Sequence, residues 1–152
     1  MLYLGADKHG FRAIQFVREI LESGGLEFAD LGVQQPGQDI ALEQLIPKIV
    51  QMTLKDKKNR AILSCGTGVG VEVGANKFSG IRACLANDER VAKYSRIYDD
   101  CNVLCLVGWD ADRAHIEKIV QAWLNSEYDG SEKRIRMFEV FNSWHDANNL
   151  NQ

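Results

Sequence analysis

A Rossmann-like α/β/α sandwich built on a five-stranded parallel sheet is the fold class that the sequence predicts. Three observations predict it. Short apolar runs recur five times along the chain, amphipathic helical patterns fall between them, and no linker or repeat divides the 152 residues. Strands that alternate with helices pair in parallel and are covered on both faces.

The first strand is Leu2–Ala6, ending at Asp7. Phe11, Ile14, Val17, Ile20 and Leu21 form one stripe of a helix over Gly10–Ser23, which Gly24 and Gly25 stop. Leu26–Leu31 reads as the second strand, followed by a polar loop over Gly32–Asp39. A helix over Leu42–Leu54 contains Pro47, which predicts a distorted turn. Arg60–Ser64 is the third strand, leading through CGTGVG into a helix over Val71–Lys77. Ile81–Ala86 is the fourth strand and Asp88–Ile97 a short helix, with Asp88 placed to cap it. Asn102–Val107 is the fifth strand. Asp112–Leu124 is a helix burying Ile116, Ile119, Val120 and Trp123. A last helix spans Glu132–Trp144, and Asp146–Gln152 is expected to fray. Trp123 and Trp144 read as core or subunit interface.

The chain carries a formal net charge of −3 and is 45% hydrophobic, a balance that suits neither a nucleic-acid binder nor an anionic-membrane binder. No apolar run reaches the ~20 residues that span a bilayer. The N-terminus has no signal-peptide pattern. Cys65, Cys84, Cys101 and Cys105 show no CxxC spacing, and His9, His115 and His145 do not cluster with them, so no metal site is expected. Free thiols without a secretory signal imply the cytoplasm.

Ligands of such sheets gather at the carboxyl ends of the strands. That rule selects Asp7–Lys8, Cys65–Gly70, Asn87–Asp88 and Gly108–Trp109. In the stretch CGTGVG, Gly66, Gly68 and Gly70 remove side chains where a strand turns into a helix, so backbone N–H groups can converge on an anion. The same position favours the thiolate form of Cys65. Isomerisation through an enediolate needs a base beside a carbonyl-adjacent C–H and donors for the oxyanion. Cys65 could be the base, and the glycine amides with the Thr67 hydroxyl the donors. Tight packing or a nucleotide phosphate loop are the competing readings of these glycines, although the turn lacks both the Rossmann acidic partner and the P-loop lysine. Glu72 is a rival base, but an acid in the first turn of a helix is also expected from the dipole alone.

Taken together, GAD at Gly5–Asp7, DLG at Asp30–Gly32, CGTGVG, ANKFSGIRA at Ala75–Ala83, D-x-NVL at Asp100–Leu104, AWL at Ala122–Leu124 and YDG followed by Arg136 resemble the ribose-5-phosphate isomerase B and galactose-6-phosphate isomerase family. The resemblance spans about residues 1–137 and implies one sugar-phosphate isomerase domain over residues 1–145. It further implies no cofactor and no metal, a phosphorylated sugar as substrate, and a homodimer or dimer of dimers with sites shared across the interface. It assigns proton transfer to Cys65, oxyanion contacts to Thr67, Gly66, Gly68 and Gly70, and a sugar hydroxyl contact to Asp7.

The departures from the family pattern are equally specific. Lys8 replaces the usual histidine at the phosphate end, with His9 one position later. Ile40 replaces a sugar-contacting tyrosine. Tyr98 and Asp99 stand in the H-N-D position ahead of Asn102, where the histidine is credited with ring opening; a phenol with a pKa near 10 is a poorer acid–base group at neutral pH. Trp109 replaces a phosphate-reading arginine, and Glu132 interrupts the final basic motif, leaving Lys8 and Arg136 in register. Two explanations follow. The substrate is a sugar phosphate that cannot cyclise, such as a tetrose 4-phosphate, and needs no ring-opening acid. Alternatively the chain is an inactive sugar-phosphate-binding homologue or a non-catalytic partner subunit.

Overall fold

The computed structural model describes residues 1–144. Five strands, β1 (Leu2–Ala6), β2 (Phe28–Asp30), β3 (Arg60–Cys65), β4 (Ala83–Leu85) and β5 (Val103–Val107), form one sheet with the order β2-β1-β3-β5-β4. Every pairing is parallel. The helices are α1 (Phe11–Ser23), α2 (Leu42–Thr53), α3 (Val69–Ala75), α4 (Glu89–Asp99), α5 (Arg113–Leu124) and α6 (Glu132–Ser143).

Two apolar layers flank the sheet, as strands buried on both faces require. One joins Leu4, Ile62, Leu104 and Leu106 to Ile14, Val17 and Leu21 of α1 and to Ile116, Val120 and Trp123 of α5. The other joins Leu63, Val103 and Cys105 to Leu45 and Ile49 of α2 and Val71 of α3. Trp123 is fully buried, whereas Trp144 is 55% exposed at the end of α6. Trp123 is thus core, and Trp144 is not.

The edge strands are shorter than the apolar runs suggested. At β4, side chains replace the ladder: Asn76 Nδ2 donates to Ala83 O (2.9 Å), Ala83 N donates to Asn76 Oδ1 (2.8 Å), and Arg82 N donates to Asn102 Oδ1 (2.9 Å). Leu85 N donates to Glu72 Oε1 (2.9 Å). Glu72 therefore pins α3 to the sheet edge, and Asn76 braces β4. Asp88 caps α4 by accepting from Val91 N at 2.7 Å. Gly25, at φ +66, carries the chain out of α1. The helix α2 runs without interruption through Pro47, which lies on its exposed side. The missing N–H costs one hydrogen bond there, and water can serve the freed carbonyl. The expected frayed tail, Asp146–Gln152, lies outside the described residues.

Candidate active site

The carboxyl ends of β1, β3 and β5 meet at a group of close backbone approaches. A Cβ on Gly10 would lie 2.2 Å from Ser64 O, and one on Gly108 would lie 2.3 Å from His9 O and 2.7 Å from Cys65 O. Glycine is the only residue that fits either place, and the result is that three loops touch. Gly108 N donates to Cys65 O (2.9 Å) and Gly66 O (3.1 Å), and Trp109 N donates to Gly66 O (3.0 Å). Asp7 fixes the first loop, its Oδ1 accepting from His9 N (2.9 Å) and Gly10 N (2.8 Å). Its Oδ2 has no partner among the described residues.

Cys65 closes β3 and is 5% exposed. Its Sγ lies 3.6 Å from the point a Gly70 Cβ would occupy, and Gly70 itself is exposed. The thiol is covered, and the Leu42 side chain, whose Cδ1 lies 3.0 Å from the same point, stands beside it. Ile40 and Leu42 pack against the same apolar layer. Gly68 turns the chain into α3 at φ +75, and a Cβ there would meet Leu85 Cδ1 at 2.5 Å and Leu106 O at 2.9 Å. No L-residue could make this turn without strain. Thr67 Oγ1 accepts from Val69 N at 3.2 Å, which leaves its O–H free to donate. Gly70 N and Val71 N find no main-chain acceptor, as first-turn amides of a helix do not.

Trp109 is 56% exposed, yet its indole edge lies where a Gly66 Cβ would be, within 2.6 to 2.8 Å of that point. The His9 ring meets it edge-on at 6.2 Å between centroids. The replacement of a flexible cation by an indole thus puts a flat wall against the glycine turn. Beside it a cavity of about 250 Å³ is lined by Asn87, Leu106, Trp109, Asp112 and His115, among others. Lys8 is not a free cation: its Nζ pairs with Asp39 Oδ2 at 2.9 Å, both side chains about half exposed. The pairing raises the lysine pKa and lowers that of Asp39, in each case chiefly through their mutual hydrogen bond.

Asp7, Lys8, Cys65, Gly66, Thr67, Gly68, Gly70 and Trp109 are therefore gathered at one end of the sheet. Tyr98, Asp99, Asn102 and Arg136 are not. Cys65 aligns with Val107 and Ala61 with Val103, so Asn102 sits at the opposite end, about 16 Å away for some five residues at ~3.3 Å each. Asn102 spends its amide on Arg82 N and on Gly80 O (2.8 Å), which makes it a brace of the β4–β5 pair. Asn102, expected as a substrate contact, thus carries two hydrogen bonds within its own chain. Helix α4 starts near the carboxyl end of β4 and runs back, so Tyr98 and Asp99 also lie at the far end. There Tyr98 stacks on Tyr94 at 5.1 Å. Arg134 covers the Tyr98 ring at 4.7 Å and reaches Asp99 at 3.6 Å. The Arg136 side chain is 73% exposed, and its one ion pair among the described residues is with Glu132 at 4.0 Å.

The strand-end rule selected Gly108 together with Trp109, and sequence reasoning did not single out Asp39. Nothing in the sequence links Asp39 to Lys8, 31 positions apart. Among the described residues no three His, Cys, Asp or Glu side chains are placed to hold a metal ion, and no helix is long and apolar enough to cross a membrane.

The chain matches the model of the Ribose/Galactose Isomerase family over residues 2–140. It is 31% identical over 134 residues to D-erythrulose-4-phosphate isomerase 2 of Mycolicibacterium smegmatis, covering 84% of this chain and 86% of the relative. It is 35% identical over 106 residues to the 4-deoxy-4-sulfo-D-erythrose isomerase of a Clostridium species, covering 70% and 67%. Among solved structures, ribose-5-phosphate isomerase B of Mycoplasma genitalium, with ribulose-5-phosphate bound, superposes with a TM-score of 0.85 at 26% identity over 94% of each chain. The Thermotoga maritima ribose 5-phosphate isomerase superposes at 0.84, with 27% identity over 91% of this chain and 95% of the other. With the sheet order, the glycine turn and the match over nearly the whole length in agreement, this chain belongs to the Ribose/Galactose Isomerase family.

Proposed function

We propose that the protein interconverts an aldose and a ketose bearing a terminal phosphate, with Cys65 as the base, and that its substrate has a four-carbon chain that cannot close into a ring. The observation that carries the reaction is the placement of Cys65 at the tip of β3, against the glycine-rich turn Gly66–Gly70. The thiolate removes a proton from the carbon next to the carbonyl, and that C–H pair of electrons becomes the enediolate double bond. The Thr67 hydroxyl and the amides of Gly70 and Val71 stabilise the oxyanion. Return of the proton to the neighbouring carbon, with transfer of the hydroxyl proton between the two oxygens, completes the isomerisation. Asp7 holds a hydroxyl through Oδ2, and Lys8 meets the phosphate.

Three things favour the short substrate. Tyr98 stands where the family has its ring-opening group. Trp109 narrows the pocket against Gly66. Two relatives with substantial identity are named for four-carbon substrates. The site is completed by a second copy of the chain, which brings Tyr98, Asp99 and Arg136 over Cys65. Support comes from their position at the far end of the sheet and from exposed apolar side chains such as Val73, Tyr94, Ile135 and Phe141. Helix α6 buries none of its residues within the single chain. The protein works in the cytoplasm, where its four thiols stay reduced.

The deciding assay compares erythrulose 4-phosphate, ribose 5-phosphate, allose 6-phosphate and 4-deoxy-4-sulfoerythrose with wild-type protein and Cys65→Ser. Activity on the four-carbon substrates, reduced at least ~10²-fold by the substitution, is expected. Activity confined to the ring-forming sugars refutes the substrate assignment, and an unimpaired Cys65→Ser refutes the base.

A further inference from the structure

At the amino end of the sheet the isomerase reading uses Tyr98, Asp99 and Arg136 and leaves the neighbouring residues unused. A cavity of about 860 Å³ opens there, lined by Lys57, Lys58, Arg60, Arg82, Arg96 and Tyr128, among others. The carboxylates in its wall are Asp56, Asp100 and Glu127. Five cations thus face three anions, a local excess of two positive charges on a chain whose formal net charge is −3.

The compensation is poorer than that count implies. Asp100 is shared between Arg82 and Arg96, with Arg96 Nη1 at 3.0 Å from Oδ1. Arg60 has no ion-pair partner among the described residues. The Arg60 and Arg96 guanidinium carbons stand 5.1 and 5.9 Å from the ring of the buried Trp123. Like charges are thereby held together in a partly desolvated place, and burial, followed by the nearby Arg96, lowers the pKa of Arg60. Among the described residues, Arg96 Nε and the Tyr128 hydroxyl are buried without a hydrogen-bond partner. A folded chain rarely leaves such donors unused.

We propose that this cavity is a second anion site, which takes the phosphate group of a small phosphorylated molecule between Arg60, Arg96 and Tyr128. Guanidinium forks match the tetrahedral oxygens of phosphate, and a buried hydroxyl supplies a further donor. The cavity has room beyond one phosphate, and Leu54, Gly80 and Leu124 line it as well, so a carbon skeleton has a surface to rest on. Inorganic phosphate would satisfy the same donors.

Two measurements test the site, and neither depends on turnover, so the fate of the isomerase reading does not decide them. In crystals of the full chain soaked in selenate, a selenium anomalous peak is expected within hydrogen-bonding distance of Arg60 and Arg96. In calorimetric titrations, Arg60→Met should weaken inorganic phosphate binding in the cavity at least tenfold, and Lys118→Gln, on the exposed side of α5 outside the cavity, should leave that binding unchanged. Tighter binding of glycerol 3-phosphate than of phosphate identifies the ligand as an ester; the reverse identifies the free ion. A selenate peak only near Lys8, no peak at all because a second copy fills the cavity, or unchanged affinity in Arg60→Met overturns the proposal. Should Arg60→Met fail to fold, the anomalous map of the wild-type protein decides.

Discussion

Mixing two crippled variants measures whether the site is shared. Cys65→Ser removes the base at one end of the sheet, and Arg136→Glu reverses a charge on α6. The Arg136 side chain is 73% exposed and among the described residues forms an ion pair with Glu132 alone, at 4.0 Å, so its loss should move stability by no more than about 0.5 kcal/mol. A hydrogen bond from a charged group to a substrate phosphate is worth roughly 1.5–3 kcal/mol, or about a 10- to 150-fold effect on kcat/KM. Each variant alone should therefore be nearly silent. When the two are unfolded together and refolded in equal amounts, half of the dimers are mixed. In a mixed dimer one site draws Cys65 and Arg136 from the two intact contributors, and the other receives both defects. One quarter of the wild-type rate should return, read as initial velocity on a four-carbon sugar phosphate, with native mass spectrometry confirming the mixed species. Were Cys65 and Arg136 of one chain to act together, no pairing of these variants could restore an intact site. Mixed dimers with no more than the summed activity of the parents would refute the shared site.

Two further outcomes follow from the geometry. Asp39→Asn should lower the Lys8 pKa toward its ordinary value, seen in a side-chain NMR titration, and lower KM for the phosphorylated substrate by freeing the ammonium. Because pairing raises the pKa of Lys8 and lowers that of Asp39, the stabilisation that the pair confers is lost as pH rises through the folded lysine value or falls through the folded aspartate value. The difference in thermal stability between wild type and variant should accordingly vanish at both extremes. Trp123→Ala should cost about 3–5 kcal/mol in urea unfolding, since it empties a fully buried site in the apolar layer and strips the ring beneath Arg60 and Arg96. A loss below 1 kcal/mol would mean that the layer collapses around the gap.

Local signals carried far in this chain. The apolar runs, the caps at Gly24–Gly25 and Asp88, and the glycines of the Cys65 turn are each set by neighbours within a few positions, and each could be read directly. So could Glu72, because a first-turn acid has a structural use independent of any chemistry. The edge strands were over-read, since Leu26 and Ile81 are apolar but have no strand to pair with, and side chains such as Asn76 and Asn102 replace the ladder.

The sequence by itself determined the alternation of strand and helix, the identity of the thiol at a strand tip and the departures at Lys8, Tyr98 and Trp109, because these depend on residue type and short-range spacing. Only the tertiary structure decided that Trp109 lies on Gly66, that Asp39 holds Lys8, and that Tyr98 and Asn102 stand a strand's length from Cys65. It alone brought Arg60 beside Arg96. Such neighbours are made by strand order and by the direction in which a helix returns, and those follow from how whole faces are buried together rather than from any stretch of chain taken alone.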